Sequence, residues 1–327
     1  MNSVHQTIIC ENVTMAAELL RAGRLVAFPT ETVYGLGADA TNPTSVARIF
    51  ESKRRPAFDP LIVHVPDVES AAELVLDFSE TAAQLAARFW PGPLTLVLPR
   101  GPRIPDLVTA GLPGVGLRIP DHPLARQLLQ QAGCPVAAPS ANPFGGISPT
   151  TAQHVLDGLS GRIDGVLDGG PCGIGLESTV VSLMTARPTL LRPGGLAVEE
   201  IEAEIGPVDR AVSDASLDDA AQPAPGMLSR HYAPQTSLRV IATDATAVPV
   251  AGRRCGLMTY GADPAGPEFE AVEHLSRSID LRTCATKFFA ALRSLDAANL
   301  DVIIVRSFPA HGLGLALNDR LQRAAAE

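Results

Sequence analysis

Two hydrophobic periods alternate along the chain. Residues 13–21 repeat apolar positions at helical spacing, and Gly23 offers a C-terminal stop. Leu25-Val26-Ala27-Phe28 is then an unbroken apolar run cut off by Pro29, which reads as a buried strand. Helices are predicted over 44–50, 79–89, 123–131, 150–159 and 198–205. Strands are predicted over 61–65, 94–98, 115–120, 136–138, 166–168, 178–181 and 189–192. Asp121 is placed to cap the helix opening at Pro123, and Ser148 followed by Pro149 to cap the one opening at Thr150. From about 206 to 234 the pattern lapses, and the polar, Pro-rich run 218–225 reads as extended and mobile. It restarts with strands over 238–241, 255–259 and 302–305 and helices over 280–297 and 315–325. The sum is an α/β protein in two parts: a domain over 1–206, a linker over 207–235, and a small βαβ-type domain over 236–327.

Composition narrows the chemistry. The formal net charge of -9 argues against a general nucleic-acid coat, which needs a basic surface. Five cysteines (Cys10, Cys134, Cys172, Cys255, Cys284) form no C-x-x-C pair, so zinc is not expected. Their odd number, with no secretory leader in view, points to a reducing cytoplasm. No apolar run reaches the roughly 18 residues of a membrane span. The P-loop, G-x-G-x-x-G, H-E-x-x-H and G-x-S-x-G patterns are all missing.

What remains is a set of basic and hydroxyl residues at element ends. Ser52-Lys53-Arg54-Arg55-Pro56 is the only run of three basic residues, and it sits at a proline elbow before the run Leu61-Ile62-Val63-His64. Lys supplies a point charge and Arg a planar fork, a pairing suited to phosphate oxygens. Pro29-Thr30-Glu31-Thr32-Val33-Tyr34-Gly35-Leu36-Gly37 reads as a loop of hydroxyls and one carboxylate, with glycines that allow close backbone approach. Arg118 lies near the end of one predicted strand and Arg192 ends another, and Ser140 and Asn142 precede the helix start at Ser148, a natural anion site. Such a cleft suits a polyanion together with a small polar molecule. With no obvious nucleophile, catalysis there rests on positioning and charge neutralisation.

Six motifs in order resemble a YrdC-type domain. They are 28–37, Lys53-x-Arg55-Pro56 with Pro60-Leu61 and His64, Trp90-Pro91-Gly92-Pro93-Leu94-Thr95, Pro139-Ser140-Ala141-Asn142, and Glu177-Ser178-Thr179-Val180. The sixth, Pro225-Gly226-Met227 followed by Arg230-His231-Tyr232-Ala233-Pro234 and a second α/β domain, resembles the long, two-domain threonylcarbamoyl-AMP synthases. The resemblance covers essentially the whole chain. It implies a twisted mixed sheet with helices, plus a smaller Rossmann-like α/β C-terminal domain. It also implies a reaction of L-threonine, bicarbonate or carbon dioxide, and ATP with Mg²⁺, giving threonylcarbamoyl-AMP and pyrophosphate. A partner transferase would then pass the group to tRNA, with no stable nucleic-acid binding by this chain.

By that resemblance Lys53 and Arg55 would be catalytic, offsetting charge on the phosphates. Thr32, His64, Arg118, Ala138 and Ser178 would surround threonine, Arg118 pairing with its carboxylate. Arg55, Asp59, Gly114, Ser140, Asn142, Ser148, Arg192, His231 and Tyr232 would face ATP, and no protein side chain is assigned to metal. The chain departs from the pattern at Asp59, where Asn is common, at Gly114 for Thr, at Leu228-Ser229 for Lys-Tyr and at Ser182 for Asp. Two other classes carry related domains: RNA-binding modules, which the acidity disfavours, and carbamoyl transferases of hydrogenase maturation, whose zinc-binding cysteine pairs this chain lacks. The segment 227–234 is expected to fold over the ATP site as a lid, with the second domain as its anchor.

Overall fold

The structure is a computed structural model, in which residues 6–211, 222, 224–227, 230–262 and 268–326 are described. One mixed sheet of eleven strands organises the first domain. Its strands are β1 (Ile8–Cys10), β2 (Val26–Phe28), β3 (Gly35–Asp39), β4 (Ile62–His64), β5 (Leu94–Pro99) and β6 (Gly114–Arg118). They continue with β7 (Val136–Ala137), β8 (Gly165–Leu167), β9 (Thr179–Ser182), β10 (Thr189–Arg192) and β11 (Asp209–Arg210). Their order is β1-β8-β2-β3-β7-β4-β6-β5-β9-β10-β11. The helices are α1 (Val13–Arg21), α2 (Pro43–Lys53), α3 (Val68–Ala72), α4 (Glu80–Phe89), α5 (Asp106–Thr109), α6 (Pro123–Ala132), α7 (Ala152–Leu159) and α8 (Val198–Ile205).

Both faces of the sheet are covered, which is why its strands read as apolar runs. Val26 and Phe28 pack with Leu20 of α1 and Leu128 of α6, while the intervening Ala27 joins the opposite core with Ile49, Leu85 and Ile201. Register then places the chemistry. Parallel pairing of β4 with β6 sets His64 beside Arg118 at the strands' C-terminal ends. Pairing of β5 with β9 sets Leu94 beside Thr179, so Ser178 enters next to Thr95.

The second domain begins at β12 (Ser237–Ile241). With β13 (Cys255–Thr259), β14 (Ala271–His274) and β15 (Val302–Arg306) it forms a four-stranded parallel sheet ordered β12-β15-β13-β14. Helices α9 (Leu281–Asp296) and α10 (Leu313–Ala325) complete it. Its core of Phe288, Phe289, Ile303 and Leu317 is continuous with Val33, Ile147 and Leu176 of the first domain. Gly175 shows how close the two come. It has φ +79°, and a Cβ there would lie 2.5 Å from the Ala285 carbonyl oxygen of α9.

Several local expectations are corrected. Gly35 and Gly37 belong to β3 rather than to a loop; a Cβ at Gly37 would meet both Phe28 and Val136 at 2.9 Å, so that glycine serves sheet packing. Asp121 does not cap α6: the helix opens at Pro123, so His122 is the N-cap residue, and it makes no side-chain cap bond. Ser148 does not cap α7 either. Thr151 does, accepting from His154 N, because the helix opens only at Ala152; the Ser148 hydroxyl donates instead to the Glu177 carboxylate. The short elements β1, β11, β14, α3 and α5 carry too little periodic signal to be read from sequence. Of the Pro-rich run, 218–221 and 223 lie outside the described residues, as do Leu228 and Ser229. Among the described residues no helix is long and apolar enough to cross a membrane.

Candidate functional site

A narrow cleft of about 50 Å³ opens where β4, β6 and β7 end and the loops after β2 and before β9 converge. Ten of the anticipated residues line it: Thr32, Arg55, His64, Arg118, Ala138, Ser140, Ser178, Arg192, His231 and Tyr232. The other five stand behind or beside it. Lys53, Asp59, Asn142 and Ser148 are buried next to lining residues, and Gly114 borders a separate recess with Thr95, Val97 and Pro225.

The basic elbow is shaped by its own backbone. Helix α2 ends at Lys53, and Arg54 takes the left-handed conformation (φ 55°) that turns the chain. Arg55 is thereby drawn into the protein, donating from Nε to the Asp59 carbonyl at 3.1 Å and from Nη2 to the Pro60 carbonyl at 2.8 Å. Its Nη2 also stands 2.9 Å from Asp59 Oδ1, an ion pair in which neither carboxylate oxygen receives an aligned hydrogen bond. Burial pushes the Asp59 carboxyl up, against the pull of Arg55, Lys53 and Arg192. Lys53 is fully buried, and its ammonium donates to the carbonyls of Ser140 and Asn142 instead of entering the cleft. Burial, and then the charge of Arg55, push the Lys53 pKa well down. Asn142 donates from Nδ2 to the Pro143 and Gly146 carbonyls, and its buried Oδ1 has no partner among the described residues.

Elsewhere in the cleft lining, Arg118 donates from Nη2 to Glu31 Oε1 at 2.6 Å and from Nε to the Gly92 carbonyl at 3.2 Å. Glu31 Oε2 is buried with no partner among the described residues, as is Nδ1 of His64. Burial, then the neighbouring Arg118, push the His64 pKa down to about 3, so the ring is neutral across the physiological range. Thr32 and Thr30 share a hydroxyl contact of 2.8 Å, and Ser178 and Thr95 one of 2.7 Å. Arg192 spans from the Ser178 carbonyl (2.8 Å) to the Pro225 carbonyl (2.8 Å), tying the entry of β9 to the linker.

The linker closes the cleft's rim. Pro225, Gly226, His231 and Tyr232 line it, and the Ala233 N–H donates to the Gly145 carbonyl at 2.9 Å. His231 packs edge-on against Phe144 at 5.9 Å, and Tyr232 tilts against Phe289 of α9 at 5.7 Å. Burial, with Arg55 and Lys53 nearby, holds His231 well below the usual histidine range.

Sequence reading missed three charged residues here. Glu31 was visible only as a loop carboxylate, yet it occupies Arg118. Glu177 was visible only as a motif letter, yet it accepts from Ser148 and, at 2.8 Å, from Arg320 Nε. Burial alone would raise its carboxyl, but Arg320, Arg192 and the Ser148 hydroxyl hold it below the usual range. Arg320, one of two arginines in the last helix, gave no signal at all. Among the described residues no group of three or more His, Cys, Asp or Glu is arranged to hold a metal ion.

Comparison with known proteins bears on both domains. A family model described as telomere recombination (Sua5_yciO_yrdC) matches residues 18–194. A second, described as threonylcarbamoyl-AMP synthase, C-terminal domain, matches residues 196–326. The threonylcarbamoyl-AMP synthase of Bacillus subtilis (strain 168) is 46% identical over 323 residues, spanning 96% of this chain and 92% of that protein. That of Pyrococcus abyssi (strain GE5 / Orsay) is 43% identical over 329 residues, spanning 96% and 94%. The crystal structure of P. abyssi Sua5 complexed with L-threonine matches with a TM-score of 0.87 at 40% identity, over 96% of this chain and 94% of that one.

Proposed function

Since the chain belongs to the Sua5–YciO–YrdC family in its two-domain threonylcarbamoyl-AMP synthase form, we propose that it joins L-threonine, bicarbonate and ATP into threonylcarbamoyl-AMP and pyrophosphate. The observation that carries this is the mixed lining of one cleft. Arg118, neutral His64, Thr32 and Ser178 share it with Arg55, Arg192, Ser140 and the linker residues, and Arg192 meets Ser178 at its carbonyl. An amino acid suits the first group: a guanidinium fork for its carboxylate, hydroxyls for its polar atoms. A triphosphate suits the second.

In this reading the neutral amine of threonine adds to the carbon of bicarbonate-derived carbon dioxide and gives up a proton to solvent, leaving a carbamate. A carbamate oxygen then attacks the α-phosphorus, and pyrophosphate leaves. Arg55 and Arg192 offset charge as it develops, held in place beforehand by backbone carbonyls. Lys53 shapes the nucleotide's surroundings through the Ser140 and Asn142 carbonyls, and Arg118 receives the threonine carboxylate while Glu31 fixes its orientation. Magnesium would arrive on the phosphates. Asn142 Oδ1, which has no partner among the described residues, would be the protein atom suited to its hydration shell, and the ion would supply further charge neutralisation. The linker residues would exclude water from an adenylate that hydrolyses readily. A cytoplasmic tRNA-modifying transferase would consume the product.

The test is pyrophosphate release with ATP, threonine and bicarbonate supplied together and singly omitted, with the product's mass measured. Release requiring all three, with a mass equal to threonylcarbamoyl-AMP, is expected. An equal rate without threonine would reject the assignment.

A further inference from the structure

The last helix of the second domain sends one guanidinium into the first domain's site. Arg320 is 0% exposed. It donates from Nε to Glu177 Oε2 at 2.8 Å and from Nη2 to the Pro193 carbonyl at 3.0 Å, while Nη1 meets Asp319. Its Cζ lies 5.0 Å from the centre of the Tyr232 ring. One residue thus touches the carboxylate beside Ser178, the turn after Arg192 and the linker aromatic at the cleft's rim. Three residues on, Arg323 donates to the Met227 carbonyl at 2.7 Å. Its own carbonyl, one of those a helix end leaves free, receives the His231 N–H at 3.2 Å. Ala316, Leu317, Leu321 and Ala324 flank Arg320 on the buried face of the same helix, in a core that Tyr232 and residues of the first domain also join, so Arg320 enters where the two domains meet. A fully buried guanidinium is costly unless every side of it is matched. Here it is matched almost entirely by groups of the first domain and the linker.

We propose that Arg320 is a positioning residue of the reaction site, holding Glu177 and Tyr232 against the cleft, so that the second domain completes the site instead of only anchoring the linker. The activity readout rests on the synthase reading; a second readout is independent of it. Glu177 is faced by Arg320 and Asp319 from α10, Arg192 from β10, Ser148 from the loop before α7 and Tyr232 from the linker. Without Arg320, burial raises the Glu177 carboxyl while only Arg192 and the Ser148 hydroxyl oppose it.

The experiment compares full-length wild type, Arg320→Met and Arg320→Lys by kcat/KM against pH and by rate of proteolytic cleavage within the linker. Arg320→Met should lose about 10- to 100-fold in kcat/KM and move the acid limb of the pH profile up by about one unit or more. Arg320→Lys keeps the charge, so its limb should return toward wild type. Its kcat/KM should stay reduced, because an ammonium cannot bridge Glu177, Pro193 and Tyr232 together. In the absence of substrates the linker should be cut about tenfold faster in Arg320→Met, the change expected when a closed segment opens more often. An Arg320→Met protein with wild-type kcat/KM, pH profile and linker cleavage, and only a lower melting temperature, would overturn the proposal. If Arg320→Met does not fold, wild-type kcat/KM and cleavage in Arg320→Lys would overturn it instead. A wild type inert with all three substrates rejects the synthase reading, and the cleavage rates then decide the positioning role.

Discussion

Replacing His64 with Gln should flatten the acid side of the protein's stability profile. His64 is 3% exposed, Arg118 is its register partner, and its Nδ1 has no hydrogen-bond partner among the described residues. Burial first, then the Arg118 charge, push its pKa from 6.5 down to about 3. As pH falls, the unfolded chain protonates this ring near 6.5, while the folded chain keeps it neutral down to about 3. The unfolded state binds more protons throughout that window. The stability contribution is therefore full above the unfolded value and is lost progressively as pH falls toward the folded one. At about pH 5, roughly 1.5 units below the unfolded value, the loss is about 2 kcal/mol at 1.36 kcal/mol per unit. His122, His154 and His231 are pushed down by burial as well, so the wild-type profile falls through several histidines and the difference between the two proteins isolates one. Urea unfolding at about pH 7.5 and about pH 5 can be followed by emission from Trp90, the one tryptophan, buried in the first domain. A wild-type loss exceeding that of His64→Gln by about 2 kcal/mol is expected. Parallel profiles, within about 0.5 kcal/mol at both pH values, would refute the account of a buried neutral ring.

The remaining predictions concern the cleft and its supports. Arg55→Ala should lower turnover by about 100-fold, the order of a lost preorganised charge, and wild-type turnover in a folded variant would leave Arg55 a structural elbow. Lys53→Ala should cost a similar factor through the released Ser140 and Asn142 carbonyls, and circular dichroism would separate this from unfolding. Arg118→Lys should raise the threonine KM more than it lowers kcat, because the fork shared by Glu31 and a carboxylate is lost; an unchanged KM would place Arg118 elsewhere. Thr151→Ala removes the observed cap of α7 and should cost about 1 kcal/mol in urea unfolding, whereas Ser148 changes should act on Glu177 and hence on activity.

Local order was decided locally. The helical period over Val13–Arg21, the proline elbow after Lys53 and the apolar runs that became β2, β4 and β6 each depend on residues a few positions apart. Propensity, prolines and burial pattern therefore sufficed for them. The motif residues at their ends identified the cleft for the same reason: a strand's exit is where its last side chains must go. Partners of the buried charges were a different matter. Glu31 and Arg118 are 87 positions apart, Ser148 and Glu177 are 29, and Glu177 and Arg320 are 143. Ser148 and Pro149 carried a sound capping signal, yet the helix opened at Ala152 with Thr151 as its cap, and the Ser148 hydroxyl turned to a buried carboxylate. Lys53 carried a sound phosphate signal, yet its ammonium turned to two carbonyls. A charge removed from water must find whatever opposite charge or dipole the chain crossing brings within about 3 Å. That crossing is set by strand register and by the packing of α9 and α10 on the first domain, which no local window of the sequence contains.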